Sequence, residues 1–366
     1  MEEQQQQVQL TVEETIEKIE QSIKDLEAKN NKIFFLTQDT KGTQRASVAT
    51  NYQFVKILRD NGYNAFILHE KDEYVGVGEW LSEDYTSLPH ASIESGDLQV
   101  GPQDLLIIPE VFGHVIEQTV NMPCKRIVFC QSYDYIFEML QPGATWASLG
   151  IDTVMTTSEA SKEYIKSIFP NMEPTIIPLS IPDYFKADEK PKKPIVSIHT
   201  RDHRDTMKLI KSFYVKYPQY RWITFRDLRG LKREDFAVAL GESCVSVWVD
   251  DVAGYGTFPL ESMKCKTPVI GKVPNLKIDW LNEKNAIWTY ELNQMVDMVG
   301  SFLKSWLEDS IPSELYDAMV ETAKGNTLEE ESKSLLAFVE KTNADRITEL
   351  SISLNKIKPI EEPIKQ

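Results

Sequence analysis

Hydrophobic and polar positions fall into two regimes along the chain. In the first, Val12, Ile16, Ile19, Ile23 and Leu26 recur at alternating spacings of four and three among Glu, Lys and Gln. That spacing draws one apolar stripe down a helix. Thr11 and Glu14 precede it at capping-box spacing, where hydroxyl and carboxylate each satisfy a free backbone N–H. The stripe is expected to dock on the main body. Its few heptads are short for a coiled coil, although a dimer through this helix is the alternative.

From Lys32 the pattern changes to short, largely apolar runs at 33–36, 65–68, 105–108, 126–129, 153–155 and 176–177. Amphipathic stretches at 47–60 and 158–169 separate some of them, and Asn61-Gly62 supplies helix-stop chemistry. Apolar strands alternating with helices predict a parallel sheet covered on both faces. The alternation restarts after a charged, proline-containing stretch at 186–194, with strands at 195–198, 222–225, 244–249 and 268–270 and a helix at 205–217. Beyond Pro312 the chain reads as helical, with a frayed tail around 359–363. The expected division is an N-terminal helix (1–31), two α/β units (32–186 and 187–335) and a C-terminal helix with tail (336–366).

Composition narrows the function classes. A chain of 366 residues, 42% apolar and 26% charged, is that of an ordinary globular protein of roughly two domains. The net charge of −16 disfavours a nucleic-acid partner, because affinity for a phosphate backbone comes largely from displaced counterions. No run reaches the ~18 apolar residues of a membrane span, and residues 1–7 lack secretory character. Cys124, Cys130, Cys244 and Cys265 show no C-x-x-C spacing, so reduced thiols and a cytoplasmic location are expected, with no metal site.

The segment most suggestive of chemistry is Gly254-Tyr-Gly-Thr-Phe-Pro-Leu-Glu261, which follows the strand at 244–249. Gly254 and Gly256 allow close backbone approach, and Pro259 suits a first helical turn. A helix starting there points N–H groups at the loop mouth and favours an anion such as a diphosphate. Glu261, one turn in, can reach a pair of sugar hydroxyls.

This run, continued to Met263-Lys-Cys-Lys-Thr-Pro-Val-Ile270, resembles the Glu-x-Phe-Gly-x-x-x-x-Glu signature of the retaining GT-B-type glycosyltransferases, the group related to glycogen and sucrose synthases. Three further stretches agree in order: Thr157 to Ser161 followed by Ile177 to Phe185, then His199 to Phe213, and the opening strand, loop and helix at 33–60. The resemblance covers about residues 32 to 340. It implies two Rossmann-like α/β domains facing a cleft. It implies an enzyme that moves a sugar from a nucleotide-diphosphate sugar, such as a UDP- or GDP-sugar, to an acceptor hydroxyl, expected to be on a glycan. Retention, no metal and no cofactor are implied as well.

The resemblance assigns Glu261 to the nucleotide ribose, and Arg201 and Arg204 to the diphosphate clamp. Gly42 falls in the loop facing the donor phosphates, and Gly254, Gly256, Thr257 and Phe258 form the donor-side loop. Guanidinium groups suit that clamp because they stay charged and bind oxygens in pairs. The family's first glutamate falls on Ala253, which cannot accept a sugar hydroxyl. Asp250 or Asp251 then becomes the candidate carboxylate on the donor side. That substitution leaves a drifted binding or assembly protein of the same shape as one alternative; a transferase acting on hydroxymethylated DNA bases, with the chemistry kept, is another. On the acceptor side, Glu110 and Gln131 follow strands whose carboxyl ends open on a cleft in sheets of this kind. His114, a few residues on, is a candidate donor or base.

Overall fold

The computed structural model describes residues 11–96, 98–187, 191–200 and 203–357. The first unit opens with α1 (Val12–Glu27) and continues through β1 (Lys32–Leu36), α2 (Ala46–Asp60), β2 (Asn64–His69), α3 (Glu83–Thr86), β3 (His90–Ser92) and β4 (Leu105–Pro109). It goes on with α4 (Gly113–Gln118), β5 (Lys125–Cys130), α5 (Tyr135–Glu138), β6 (Thr153–Thr156), α6 (Glu159–Ile168) and β7 (Thr175–Ile176). The second unit comprises β8 (Lys193–Ile198), α7 (His203–Lys216), β9 (Thr224–Asp227), α8 (Arg233–Glu242), β10 (Ser243–Trp248), α9 (Thr257–Lys264), β11 (Val269–Lys272) and β12 (Ile287–Thr289). Three helices end the chain: α10 (Leu292–Leu307), α11 (Ser313–Lys324) and α12 (Leu328–Ile357).

Both sheets are parallel. The first has strand order β3-β2-β1-β4-β5-β6-β7 and the second β12-β11-β10-β8-β9. The apolar runs explain the burial. Ile33 and Phe35 face α2 and α12, while Phe34 and Leu36 face the opposite layer, so each strand feeds two cores at once. The chain changes direction in the first sheet between β1 and β4, and in the second between β8 and β10. Open α/β sheets bind ligands outside the carboxyl ends of strands at such switch points. The loops after β1 and β8 are therefore the places to look.

The capping box forms as expected: Glu14 N–H donates to Thr11 Oγ1 at 3.2 Å and Thr11 N–H to Glu14 Oε2 at 2.7 Å. The stripe on α1 docks on α12, where Ile19 and Leu26 are buried with Leu350. α12 also sends Leu335, Phe338 and Val339 into the core of the first unit. The boundary expected at residue 335 therefore falls inside a single helix that packs back on the first unit. β9 lies two residues later than expected, and β3 and β12 were not anticipated. The four cysteines are buried and unpaired. Among the described residues no helix is long and apolar enough to cross a membrane.

Candidate functional site

A cleft lined by residues of both units lies between them. One wall comes from the loop after β1 and the start of α2 (Gln44, Arg45, Ala46), with Trp80 and Tyr85. The other comes from His199 after β8, Arg233 at the start of α8, and Thr257, Phe258 and Glu261 on α9. Two contacts bridge the mouth: the Gln44 side-chain amide donates to the Leu231 carbonyl, and Lys232 lies 3.4 Å from Glu79.

Glu261 is where the sequence placed it, but not alone. Its Oε1 accepts from Arg233 Nη2 at 2.6 Å, with 4% of the glutamate side chain exposed and 20% of the arginine. The guanidinium also lies over Phe185 and Phe236, at 4.9 and 5.3 Å from the ring centroids. Burial opposes charge on Arg233, but Glu261 and Tyr184 outweigh it and hold the group above its ordinary range. Gly256 caps α9 at φ +73°, and no side chain caps that helix N-terminus. A Cβ at Gly256 would lie 3.0 Å from Ile278 and Trp280, so both conformation and space favour glycine.

Gly254 has a different use. A Cβ there would sit 1.7 Å from the Gln131 carbonyl oxygen of the first unit. Its own carbonyl accepts from Ser158 Oγ at 3.1 Å. Gly254 thus lets the two units meet behind the cleft. Gly42, at φ +77°, folds its loop against Gly76, donating N–H to that carbonyl at 3.0 Å, and delivers Gln44 and Arg45 to the cleft wall.

The remaining expected residues scatter. Arg204 is exposed in the first turn of α7, and Arg201 lies outside the described residues. Asp251 pairs with Lys272 rather than lining the cleft. Asp250 instead turns towards the second switch point, accepting from Thr200 Oγ1 at 2.8 Å and Trp248 Nε1 at 3.2 Å. Ala253 is buried in the apolar core of the second unit. Glu110, 3% exposed, accepts from the backbone N–H groups of Gln131 and Ser132 at 3.0 and 2.8 Å. Gln131 in turn donates to Ser47 and Asn51 of α2. These two side chains brace the loop after β5. His114 is exposed on α4, 2.9 Å from Glu70, and is not part of the cleft lining.

Arg233, Glu331 and His199 line the cleft although the sequence reading gave none of them a role. Glu331, near the start of α12, is buried and accepts from Ser180 Oγ at 2.6 Å and Gln53 Nε2 at 3.3 Å. Burial pushes its carboxyl up, against those hydrogen bonds. Beside it the chain crosses between units twice, at 179–181 and 326, and the crossings are tied together: Ile181 N–H donates to Asn326 O at 3.0 Å, and Asn326 Nδ2 to Leu179 O at 3.2 Å.

The fold, two parallel α/β sheets with flanking helices, is shared with solved glycosyltransferases. HepE from Anabaena, solved with UDP and glucose, superposes with a TM-score of 0.56 at 12% identity, covering 88% of this chain and 100% of that one. Sucrose-phosphate synthase from Thermosynechococcus elongatus gives 0.52 at 12% identity, covering 90% and 100%. A glycosyltransferase from Rickettsia africae gives 0.55 at 11% identity, covering 88% and 98%. The chain has the GT-B fold. In sequence, the GT-B chain is 26% identical over 229 residues to an α-1,6-glucosyltransferase of Actinobacillus pleuropneumoniae serotype 7, a match spanning 60% of this chain and 67% of the relative. No family model matches it.

Proposed function

We propose that this GT-B chain is a retaining glucosyltransferase that moves glucose from UDP-glucose to a hydroxyl of a carbohydrate acceptor, without a metal ion. The observation that carries the reading is Glu261, held by Arg233 on the cleft wall one turn inside the uncapped N-terminus of α9. A ribose offers Glu261 two hydroxyls, and the backbone N–H groups of Thr257 and Phe258 suit the attached diphosphate. The resemblance assigns Arg204, exposed in the first turn of α7, to the same diphosphate. The relative's name and the UDP and glucose bound by HepE support the choice of donor.

As the bond between the anomeric carbon and the diphosphate oxygen breaks, negative charge grows on the diphosphate and positive charge on the sugar. The helix N-terminus and the arginines stabilise the former. The acceptor oxygen forms the new bond on the face being vacated, and its proton passes to the departing phosphate oxygen, so configuration is retained. No protein nucleophile is required. The first-unit wall, with Trp80, Tyr85 and Arg45, offers aromatic faces and a cation to the acceptor.

Asp250, at the second switch point, stands in for the missing carboxylate at Ala253. A second reading, binding without transfer, rests on Ala253 being buried among apolar groups where the family carries a glutamate. The deciding experiment is a donor panel: UDP-, GDP- and ADP-glucose incubated with the protein, following nucleotide release with and without an oligosaccharide acceptor. Release from UDP-glucose supports transfer. Binding with no release supports the second reading, and no binding overturns both.

A further inference from the structure

His199 follows β8, at the point where the second sheet changes direction, and lines the cleft. Its ring sits 5.3 Å from Phe236 and 5.5 Å from Phe258, the second residue of α9. Its Nδ1 is shut off from solvent and has no hydrogen-bond partner among the described residues. A buried ring nitrogen left unpaired is costly, and such atoms in a native fold call for an explanation. Here the explanation lies alongside, since the uncapped N-terminus of α9 also has unmatched donors. The helix end and the imidazole thus lie together on the second-unit wall, which His199, Thr257 and Phe258 line.

We infer that His199 is a ligand contact of this cleft, donating a hydrogen bond to a phosphoryl oxygen of the bound nucleotide sugar and taking up a proton as it does so. The inference rests on the functional reading above and adds a residue and a proton to it.

The charges around the ring explain the linkage. Burial pushes the imidazole below its ordinary range, so the empty protein holds it neutral. Glu261 on α9, Asp250 after β10 and Asp227 ending β9 favour the imidazolium, while Arg233 on α8 opposes it. Among the described residues, Arg45 on the facing wall, Arg204 in the first turn of α7 and Arg229, paired with Asp227, are further cations. A diphosphate brings additional negative charge beside the ring and tips the balance towards protonation. In balanced form, neutral imidazole plus a solvent proton gives imidazolium, which then hydrogen-bonds the phosphoryl oxygen. No covalent bond changes.

The test is calorimetric titration of the full chain with UDP-glucose near pH 7 in two buffers of different ionisation enthalpy. The diphosphate diester of UDP-glucose does not titrate near neutral pH, so any proton exchanged with buffer belongs to the protein. Wild type is expected to take up at least about half a proton, and its affinity to fall by up to about tenfold per pH unit above the bound pKa. His199→Gln, which keeps a donor but cannot titrate, is expected to bind more weakly with no uptake. Zero uptake by wild type overturns the inference without any variant, as does an equal proton count in wild type and His199→Gln. If wild type binds no UDP-glucose at all, the functional reading falls and the inference falls with it. If His199→Gln does not fold, the wild-type proton count still decides.

Discussion

Arg233 donates to Glu261 at 2.6 Å inside the cleft wall, with its guanidinium over the rings of Phe185 and Phe236. The pair changes what a substitution at Glu261 would mean. Glu261→Ala would remove the proposed ribose contact and also leave a largely buried guanidinium without its carboxylate, a situation that costs about 3–5 kcal/mol of stability. Loss of activity in that variant would therefore say little about ribose binding.

Glu261→Gln is the informative change, since it keeps the shape and an acceptor for Arg233. It is expected to weaken UDP binding by about 1.5–3 kcal/mol, the range for a lost hydrogen bond to a charged group. Denaturant unfolding should show a smaller loss of stability than Glu261→Ala. Calorimetry giving wild-type affinity for Glu261→Gln would remove Glu261 from the donor site.

Gly254→Ala addresses the junction behind the cleft. The new methyl would overlap the Gln131 carbonyl, whose backbone is braced through Glu110. The expected cost is about 1–3 kcal/mol or more, as for other overpacked contacts. Thermal unfolding should show it, and an unchanged midpoint would mean that the two units do not meet there in solution.

Glu331→Gln is expected to stabilise the protein at neutral pH. Burial raises the carboxyl of Glu331 in the folded state. A raised pKa contributes stability that is fully present below the unfolded value and lost as pH rises through the folded one. Above the unfolded value wild type therefore bears the cost of burying this acid, which glutamine does not, while Ser180 keeps an acceptor. The gain in unfolding midpoint should shrink towards pH 4. A variant less stable at pH 8 than at pH 4, relative to wild type, would contradict this account.

Much of the fold was legible because apolar or nearly apolar runs such as 33–36 and 244–249 are long enough to show as buried parallel strands. β3 and β12 were missed because three residues at a sheet edge carry almost no period; His90, Ala91 and Ser92 are only partly covered or exposed. The site was legible where it is local in sequence, as in the Gly256-to-Glu261 turn. It was hidden where it depends on distant packing. Arg233 is made by Phe185 and Phe236 around it, and Glu331 by the return of α12 across the first unit. The strand-end rule suggested Glu110 and Gln131 but could not say that backbone N–H groups and α2 already occupy them.

The most direct test of the central claim is a structure of the protein with UDP bound. The account predicts the ribose hydroxyls on Glu261 and the diphosphate against the N-terminus of α9 at Thr257 and Phe258, within reach of His199. A nucleotide bound elsewhere, or with its diphosphate turned away from α9, would contradict the assignment of this cleft as the donor site.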